Sequence, residues 1–124
     1  MKPAPYGYAR AATLDDVFSL LAEHGEDAKI LAGGQSLMAT LNMRLSEPEV
    51  LIDINRIDGL AGIQDTGDTI RIGAMTRHVD VEESDVIATH APLITAAMEH
   101  VAHPAIRNRG TFGGSIAFAD PAAE

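Results

Sequence analysis

The stretch KILAGGQSL, Lys29 to Leu37, passes from apolar residues into two glycines, an amide and a hydroxyl. Further on, GTFGGSIAF, Gly110 to Phe118, sets a second glycine pair beside a serine and follows it with apolar residues. Glycine reaches backbone conformations barred to other residues and lets a neighbour approach the main chain closely, so each pair marks a tight turn, a ligand's resting place, or both. Converging main-chain N–H groups with no Cβ in the way form an anion-binding concavity. Two such loops could grip one pyrophosphate from opposite sides. If Ser36 and Leu37 open a helix, its N-terminal dipole adds to the attraction. The competing reading is a pair of tight turns.

The elements around the loops set the fold class. TLDDVFSLLAEHG has Thr13 and Asp16 at capping-box spacing, apolar Leu14, Val17, Phe18 and Leu21 on one face, and Gly25 as a stop, which predicts an amphipathic helix. Lys29 to Ala32 reads as a buried strand, and SLMATLNMRL as a helix through Leu37, Met38, Leu41 and Leu45 before Pro48. Val50 to Ile54 reads as a second buried strand, so the first lobe, residues 1–57, is βαβ-like and parallel. Alternation around Asp65, Thr66, Gly67 and Asp68 predicts an antiparallel hairpin. VDVEESDVIATH and PLITAAMEHVA read as two helices, the second opened by Pro92 and inward-facing through Leu93, Ile94, Ala97, Met98 and Val101. Ile116 to Ala119 reads as a strand, followed at Glu124 by the start of a further helix. The expectation is an α+β chain in two lobes, 1–57 and 58–124, each with one doubled-glycine loop.

Composition narrows the partners. The 124 residues suit one domain or two small lobes, and a net charge of −9 repels nucleic acid and anionic membrane. An anion must therefore be held locally, by amides or a few placed cations. With no cysteine, disulfides, iron–sulfur ligation and thiolate zinc sites are excluded within these residues, and any iron–sulfur chemistry belongs to a partner. No run approaches the ~20 apolar residues of a membrane span, and the N-terminus lacks a signal-peptide core, so a soluble cytoplasmic protein is expected.

Other chemistry is weakly signalled. There is no P-loop, no Gly-x-Gly-x-x-Gly after a strand, and no Gly-x-Ser-x-Gly elbow, while Ser36 and Ser115 have no adjacent base. His100 and His103, with Glu99, stand one helical turn apart, but a helix end where His meets terminal carbonyls explains them better than a metal. Arg107 and Arg109 flank Asn108, to meet a phosphate or to pair with the surplus carboxylates. Met38, Met43, Met75 and Met98 read as core filler.

Taken in order and spacing, KILAGGQSLMATLNMRLSEPEVLIDINRI, IGAMTRH and IRNRGTFGGSIAFADPAAE resemble the FAD-binding medium subunit of molybdenum hydroxylases, the carbon monoxide dehydrogenase and xanthine dehydrogenase group. The paired Gly-Gly-x-Ser and Thr-x-Gly-Gly-Ser loops are more specific than either alone. The resemblance implies a vanillyl-alcohol-oxidase-like (PCMH-type) fold, in which two α/β lobes clamp an extended FAD. It implies that Lys29, Ile30, Leu31, Ala32, Gly33, Gly34, Gln35, Ser36 and Leu37 wrap the pyrophosphate and neighbouring groups. Val101 and Ala102 would lie against the adenine end. Thr111, Gly113, Gly114 and Ser115 would hold the pyrophosphate from the second lobe, and Asp120 would bond the ribose hydroxyls.

The family relays electrons from a molybdopterin large subunit, through two [2Fe–2S] clusters of a small subunit, to the flavin and on to NAD, oxygen or another acceptor. Its members run to more than twice this length, so the resemblance implies an N-terminal fragment, incomplete at the C-terminus, inactive alone and prone to self-association. No catalytic residue or metal ligand is assigned. Two rivals remain: a non-catalytic assembly module or remnant, and a free-standing flavin reductase on the same scaffold, such as the UDP-N-acetylenolpyruvoylglucosamine reductases.

Overall fold

The first helix begins as its sequence dictates. In the computed structural model, which describes residues 1–123, α1 spans Leu14–His24 behind a reciprocal capping box. The Thr13 hydroxyl accepts from the Asp16 N–H at 3.1 Å, and the Asp16 carboxylate accepts from the Thr13 N–H at 2.9 Å. These bonds satisfy donors that a helix start leaves orphaned. The backbone turns out at Gly25 with φ +55°. Val17 is buried, with Leu20 and Leu21 packed beside it, whereas Leu14 and Phe18, expected on the same face, are exposed. The buried stripe runs through i, i+3 and i+4 from Val17, which leaves the other two on its flank.

The chain packs as two units, Met1–Asp58 and a second from Gly59 onward. Unit one holds a parallel sheet of β1 (Gly7–Arg10), β2 (Ala28–Leu31) and β3 (Val50–Asp53) in the order β1-β3-β2. The registers are Gly7 to Val50 on one side of β3 and Ala28 to Val50 on the other. The parallel pairing of β2 and β3 around α2 (Leu37–Asn42) is as expected. The strand in the Pro-rich opening is an addition: GYAR carries too little apolar pattern to declare itself and is recruited by the edge of β3. β3 alone is buried from Val50 through Ile52, with Val50 and Ile52 packed with Ala11, Val17 and Ala28. Burying a side chain such as Ile52 contributes roughly 1.5–3 kcal/mol. β2 is an edge strand, which leaves Lys29 and Ile30 exposed where a buried strand was expected. Helix α2 is shorter than its pattern, because Arg44 turns left-handed at φ +55° and puts Leu45, 72% exposed, outside the helix.

Unit two opens with the expected hairpin, β4 (Ile63–Asp65) paired antiparallel with β5 (Ile70–Ile72). Five short helices follow: α3 (His78–Glu82), α4 (Asp85–His90), α5 (Pro92–Met98), α6 (Pro104–Arg107) and α7 (Phe112–Phe118). VDVEESDVIATH is thus two helices, since the Ser84 hydroxyl accepts from the Ile87 N–H at 3.2 Å and starts α4. Val81, Ile87 and Met98 form the core, with Ile63, Ile70, Ile72, Ile94, Val101 and Phe112 against it. Met75 and Met98 fill buried space, but Met43 is half exposed, and Leu93, expected to face inward, is 81% exposed in the first turn of α5. The expected strand at Ile116–Ala119 is helix α7 up to Phe118. Thr111 caps that helix, and a short apolar run cannot by itself distinguish strand from helix. The expected further helix at Glu124 lies outside the described residues. Among the described residues no helix is long and apolar enough to cross a membrane.

Candidate functional site

The first glycine loop is held from below and open above. Leu31 ends β2 with its carbonyl accepting from the Ile54 N–H at 3.2 Å, and the Ala32 carbonyl accepts from Asn55 Nδ2 at 2.9 Å. Asn55 is itself fixed by Asp53, whose Oδ1 accepts from the Asn55 N–H and from its Nδ2, both at 2.8 Å. Burial of Asp53 opposes ionisation, but hydrogen bonds from Tyr8 and Asn55 and the charge of Arg10 outweigh it and hold the carboxyl below its ordinary value. Sequence reasoning missed Asn55. Its signal was an Asp two residues upstream of an Asn at the end of a strand, the pattern of a local Asx turn.

Beyond Ala32 the loop turns at Gly34, where φ is +72° and an added Cβ would sit 3.2 Å from Leu31 Cδ1 and 3.3 Å from Met38 Cγ. Gln35 folds its amide back to donate to the Gly33 carbonyl at 3.1 Å, and the Met38 N–H closes the first turn of α2 on the Gly34 carbonyl. Among the described residues, the main-chain N–H groups of Gly33, Gly34, Gln35, Ser36 and Leu37 have no acceptor. Five successive open donors on a loop with no Cβ at two positions can meet an oxyanion. Helix α2 is only six residues long, so the donors rather than a macrodipole carry the effect.

The second loop is built differently. The Phe112 N–H donates to the Thr76 carbonyl at 2.9 Å and the Gly113 N–H to the Ala74 carbonyl at 2.8 Å. The Gly114 N–H donates to Thr111 Oγ1 at 3.2 Å, and the Ser115 N–H to the Thr111 carbonyl at 3.1 Å. The expectation of open amides therefore does not extend to this loop. Its glycines answer to packing: a Cβ on Gly113 would lie 2.6 Å from Ala74 Cβ, and one on Gly114 would lie 2.6 Å from Thr111 Oγ1. Thr111 is buried and acts as a cap, while the Ser115 side chain is exposed.

His78, which sequence reasoning did not single out, lies under this loop and is 5% exposed. Its Nε2 is 3.2 Å from Ser115 Oγ, and its ring is 6.4 Å from that of Phe112. Gly110 makes room for it, since a Cβ there would stand 2.8 Å from His78 Cδ2. Burial, and secondarily the Arg107 charge, lower its pKa, so the ring is neutral near pH 7. The signal in the sequence was a His following a buried Thr and an Arg in IGAMTRH, with nothing to say which glycine would admit it.

The other candidates sit at turns. The Val101 carbonyl accepts from Arg107 Nη1 at 3.0 Å, while Ala102 is exposed and left-handed at φ +50°. Arg107 also donates from Nε to Glu82 at 2.9 Å, so of the two fates left open for it the structure shows pairing with a carboxylate. Asp120 is exposed past the end of α7, with Oδ1 accepting from the Ala122 N–H at 2.9 Å. Neither imidazole of His100 and His103 makes a hydrogen bond among the described residues, where no group of three or more His, Asp or Glu could hold a metal ion.

A family model described as the FAD binding domain in molybdopterin dehydrogenase matches residues 4–124. The chain is 51% identical to the 6-hydroxypseudooxynicotine dehydrogenase complex subunit alpha of Paenarthrobacter nicotinovorans, over all of this chain and 42% of that protein. It is 43% identical to the carbon monoxide dehydrogenase medium chain of Hydrogenophaga pseudoflava, over 98% of this chain and 42% of that one. A solved carbon monoxide dehydrogenase from Hydrogenophaga pseudoflava superposes with a TM-score of 0.97 over the whole chain and 43% of the matched chain. Quinoline 2-oxidoreductase from Pseudomonas putida 86 does so with a TM-score of 0.95 at 40% identity, over the whole chain and 43% of the matched chain. The chain thus spans less than half the length of these relatives.

Proposed function

The chain belongs to the family of FAD-binding domains of molybdopterin dehydrogenases, and on that premise we propose that it is the flavin-binding part of a multi-subunit, molybdenum-dependent oxidoreductase. Its role there is to take electrons from the iron–sulfur clusters of a small subunit, supplied by a molybdopterin large subunit, and pass them to an external acceptor in the cytoplasm. The observation that carries the reading is the run of five unpaired N–H donors from Gly33 to Leu37, on a loop anchored through the Leu31 and Ala32 carbonyls. The pyrophosphate of FAD is an anion of the size such a run accommodates.

In this reading Lys29 to Leu37 wrap the pyrophosphate and neighbouring groups, with the open main-chain donors of Gly33 to Leu37 meeting the anion and Gly34 left-handed at the turn. The Val101–Ala102 turn meets the adenine end. At the second loop the exposed Ser115 hydroxyl carries the contact, while Thr111, Gly113 and Gly114 hold α7 where Ser115 can make it. Asp120 accepts from the ribose hydroxyls through the oxygen that Ala122 does not use. Bound FAD supplies the redox chemistry, and this chain's residues bind and orient it.

Titration of the chain with FAD and with FMN, followed by flavin fluorescence, tests the reading. FAD should bind more tightly than FMN, and Asp120→Ala should weaken FAD by roughly tenfold or more while leaving FMN unchanged, since losing a hydrogen bond to a charged group costs about 1.5–3 kcal/mol. Failure to bind FAD, or equal losses for both flavins, would reject it. Copurification of an iron–sulfur protein with the family-length chain tests the partner assignment.

A further inference from the structure

His78 fixes the direction of the Ser115 hydroxyl. The imidazole is 5% exposed, and its Nδ1 is buried with no hydrogen-bond partner. Nε2 has one partner, Ser115 Oγ at 3.2 Å. The tautomer follows from the network. With the proton on Nδ1, a buried N–H would be left without an acceptor. With the proton on Nε2, only an acceptor lone pair is left over. Orphaned buried N–H groups are the rarer of the two in native structures. A neutral ring is also required, because burial and the nearby Arg107 charge both oppose protonation. Nε2–H therefore donates to Ser115 Oγ.

A serine hydroxyl has one proton to give. Once its oxygen accepts from His78, its O–H must donate elsewhere, and Ser115 is exposed with no other side-chain partner among the described residues. We infer that His78 is a positioning residue that makes Ser115 an outward hydrogen-bond donor, suited to an oxyanion such as the pyrophosphate of a dinucleotide. The inference rests on the proposed flavin site for the identity of the anion. It rests on His78, Ser115 and Gly110 alone for the direction of the donor. Gly110 belongs to the same device, since any side chain there would push the imidazole from its place.

Two measurements on the 124-residue chain test it. Long-range proton–nitrogen NMR of the protein without flavin reads the tautomer directly. A protonated Nε2 with a bare Nδ1 is expected, and a protonated Nδ1 overturns the inference whatever the chain binds. FAD titrations of variants read the consequence. Ser115→Ala should weaken FAD by about tenfold or more. His78→Gln, whose amide nitrogen falls near the position of Nε2, should keep most of the affinity. His78→Asn, whose amide falls near Nδ1, and His78→Leu should lose about as much as Ser115→Ala. Circular dichroism on each variant separates this pattern from unfolding, and the Gln variant carries the test if the Leu variant does not fold. Equal affinity in all four variants, or equal loss in Gln and Asn, overturns the inference and leaves the proposed function standing. No FAD binding by the unaltered chain overturns the proposed function and with it the pyrophosphate as the anion, while the tautomer still decides the direction of the donor.

Discussion

Gly113→Ala is expected to destabilise the protein although it places a better helix former inside a helix. The new Cβ would stand 2.6 Å from Ala74 Cβ and 2.7 Å from both Ala74 Cα and the Ala74 carbonyl oxygen. Carbon atoms rest at about 3.5–4.0 Å, so the start of α7 and the segment at Ala74 must part by about 1 Å. No rotamer change relieves this, because two of the three atoms are backbone and the third is a Cβ. Overpacking of that kind costs about 1–3 kcal/mol. Parting the segments also strains the 2.8 Å bond from the Gly113 N–H to the Ala74 carbonyl, worth about 0.5–1.5 kcal/mol net. Against these, Ala gains about 0.8–1.0 kcal/mol over Gly in helix propensity. The net loss is about 1–3 kcal/mol. Urea denaturation followed by far-ultraviolet circular dichroism reads it as a lower midpoint at unchanged slope. Gly114→Ala is the control: its Cβ meets the Thr111 hydroxyl rather than backbone, so it should cost less than Gly113→Ala. A Gly113→Ala protein as stable as the original, or a larger loss in Gly114→Ala, would refute the claim that close approach selects this glycine.

Ala102 holds a left-handed backbone without being glycine, which costs roughly 1–2 kcal/mol, so Ala102→Gly should raise the urea midpoint while weakening FAD if the turn is preset for the ligand. Arg107→Lys should destabilise unit two by about 1–3 kcal/mol, because a single ammonium cannot bond both Glu82 and the Val101 carbonyl as the guanidinium does; a stability scan that finds no loss would show the fork to be dispensable. The Asp16 carboxyl is held below its ordinary 3.8 by main-chain donors from Ala12 and Thr13 and by the Thr13 hydroxyl. Its contribution is therefore complete above that value and lost as the pH falls through the depressed one, so Asp16→Asn should flatten the acid limb of a pH–stability profile.

What the sequence made legible was local. The capping box at Thr13, the hairpin around Gly67 and the parallel pairing of β2 with β3 each rest on residues close in the chain or on a strongly apolar strand, and each is present. β1 was not legible, because its pairing is supplied by β3, some forty residues away. The reading of Ile116–Ala119 as a strand failed because a run that short suits either element, and the Thr111 cap starts a helix that carries through to Phe118. The two glycine loops looked alike in sequence. Only the destinations of their N–H groups distinguish them: the first leaves five donors open, and the second spends its own on Thr76, Ala74 and Thr111. His78 lay outside the sequence reading for the same reason, since the cavity that admits it is made by an absent side chain at Gly110.

The strand order of unit one has a consequence for the chain as it leaves the ribosome. The central strand, β3, is the last of the three to be made, and β1 and β2 touch it and not each other. Until Val50–Asp53 emerge, neither earlier strand has a template, and both present unpaired backbone donors and acceptors to whatever is near. This sheet cannot begin to form until its middle strand arrives, since every pairing in it is made to β3. A nascent chain arrested with Leu31 outside the ribosome and Val50 still inside it should therefore be more prone to aggregate than one arrested after Asp53 has emerged.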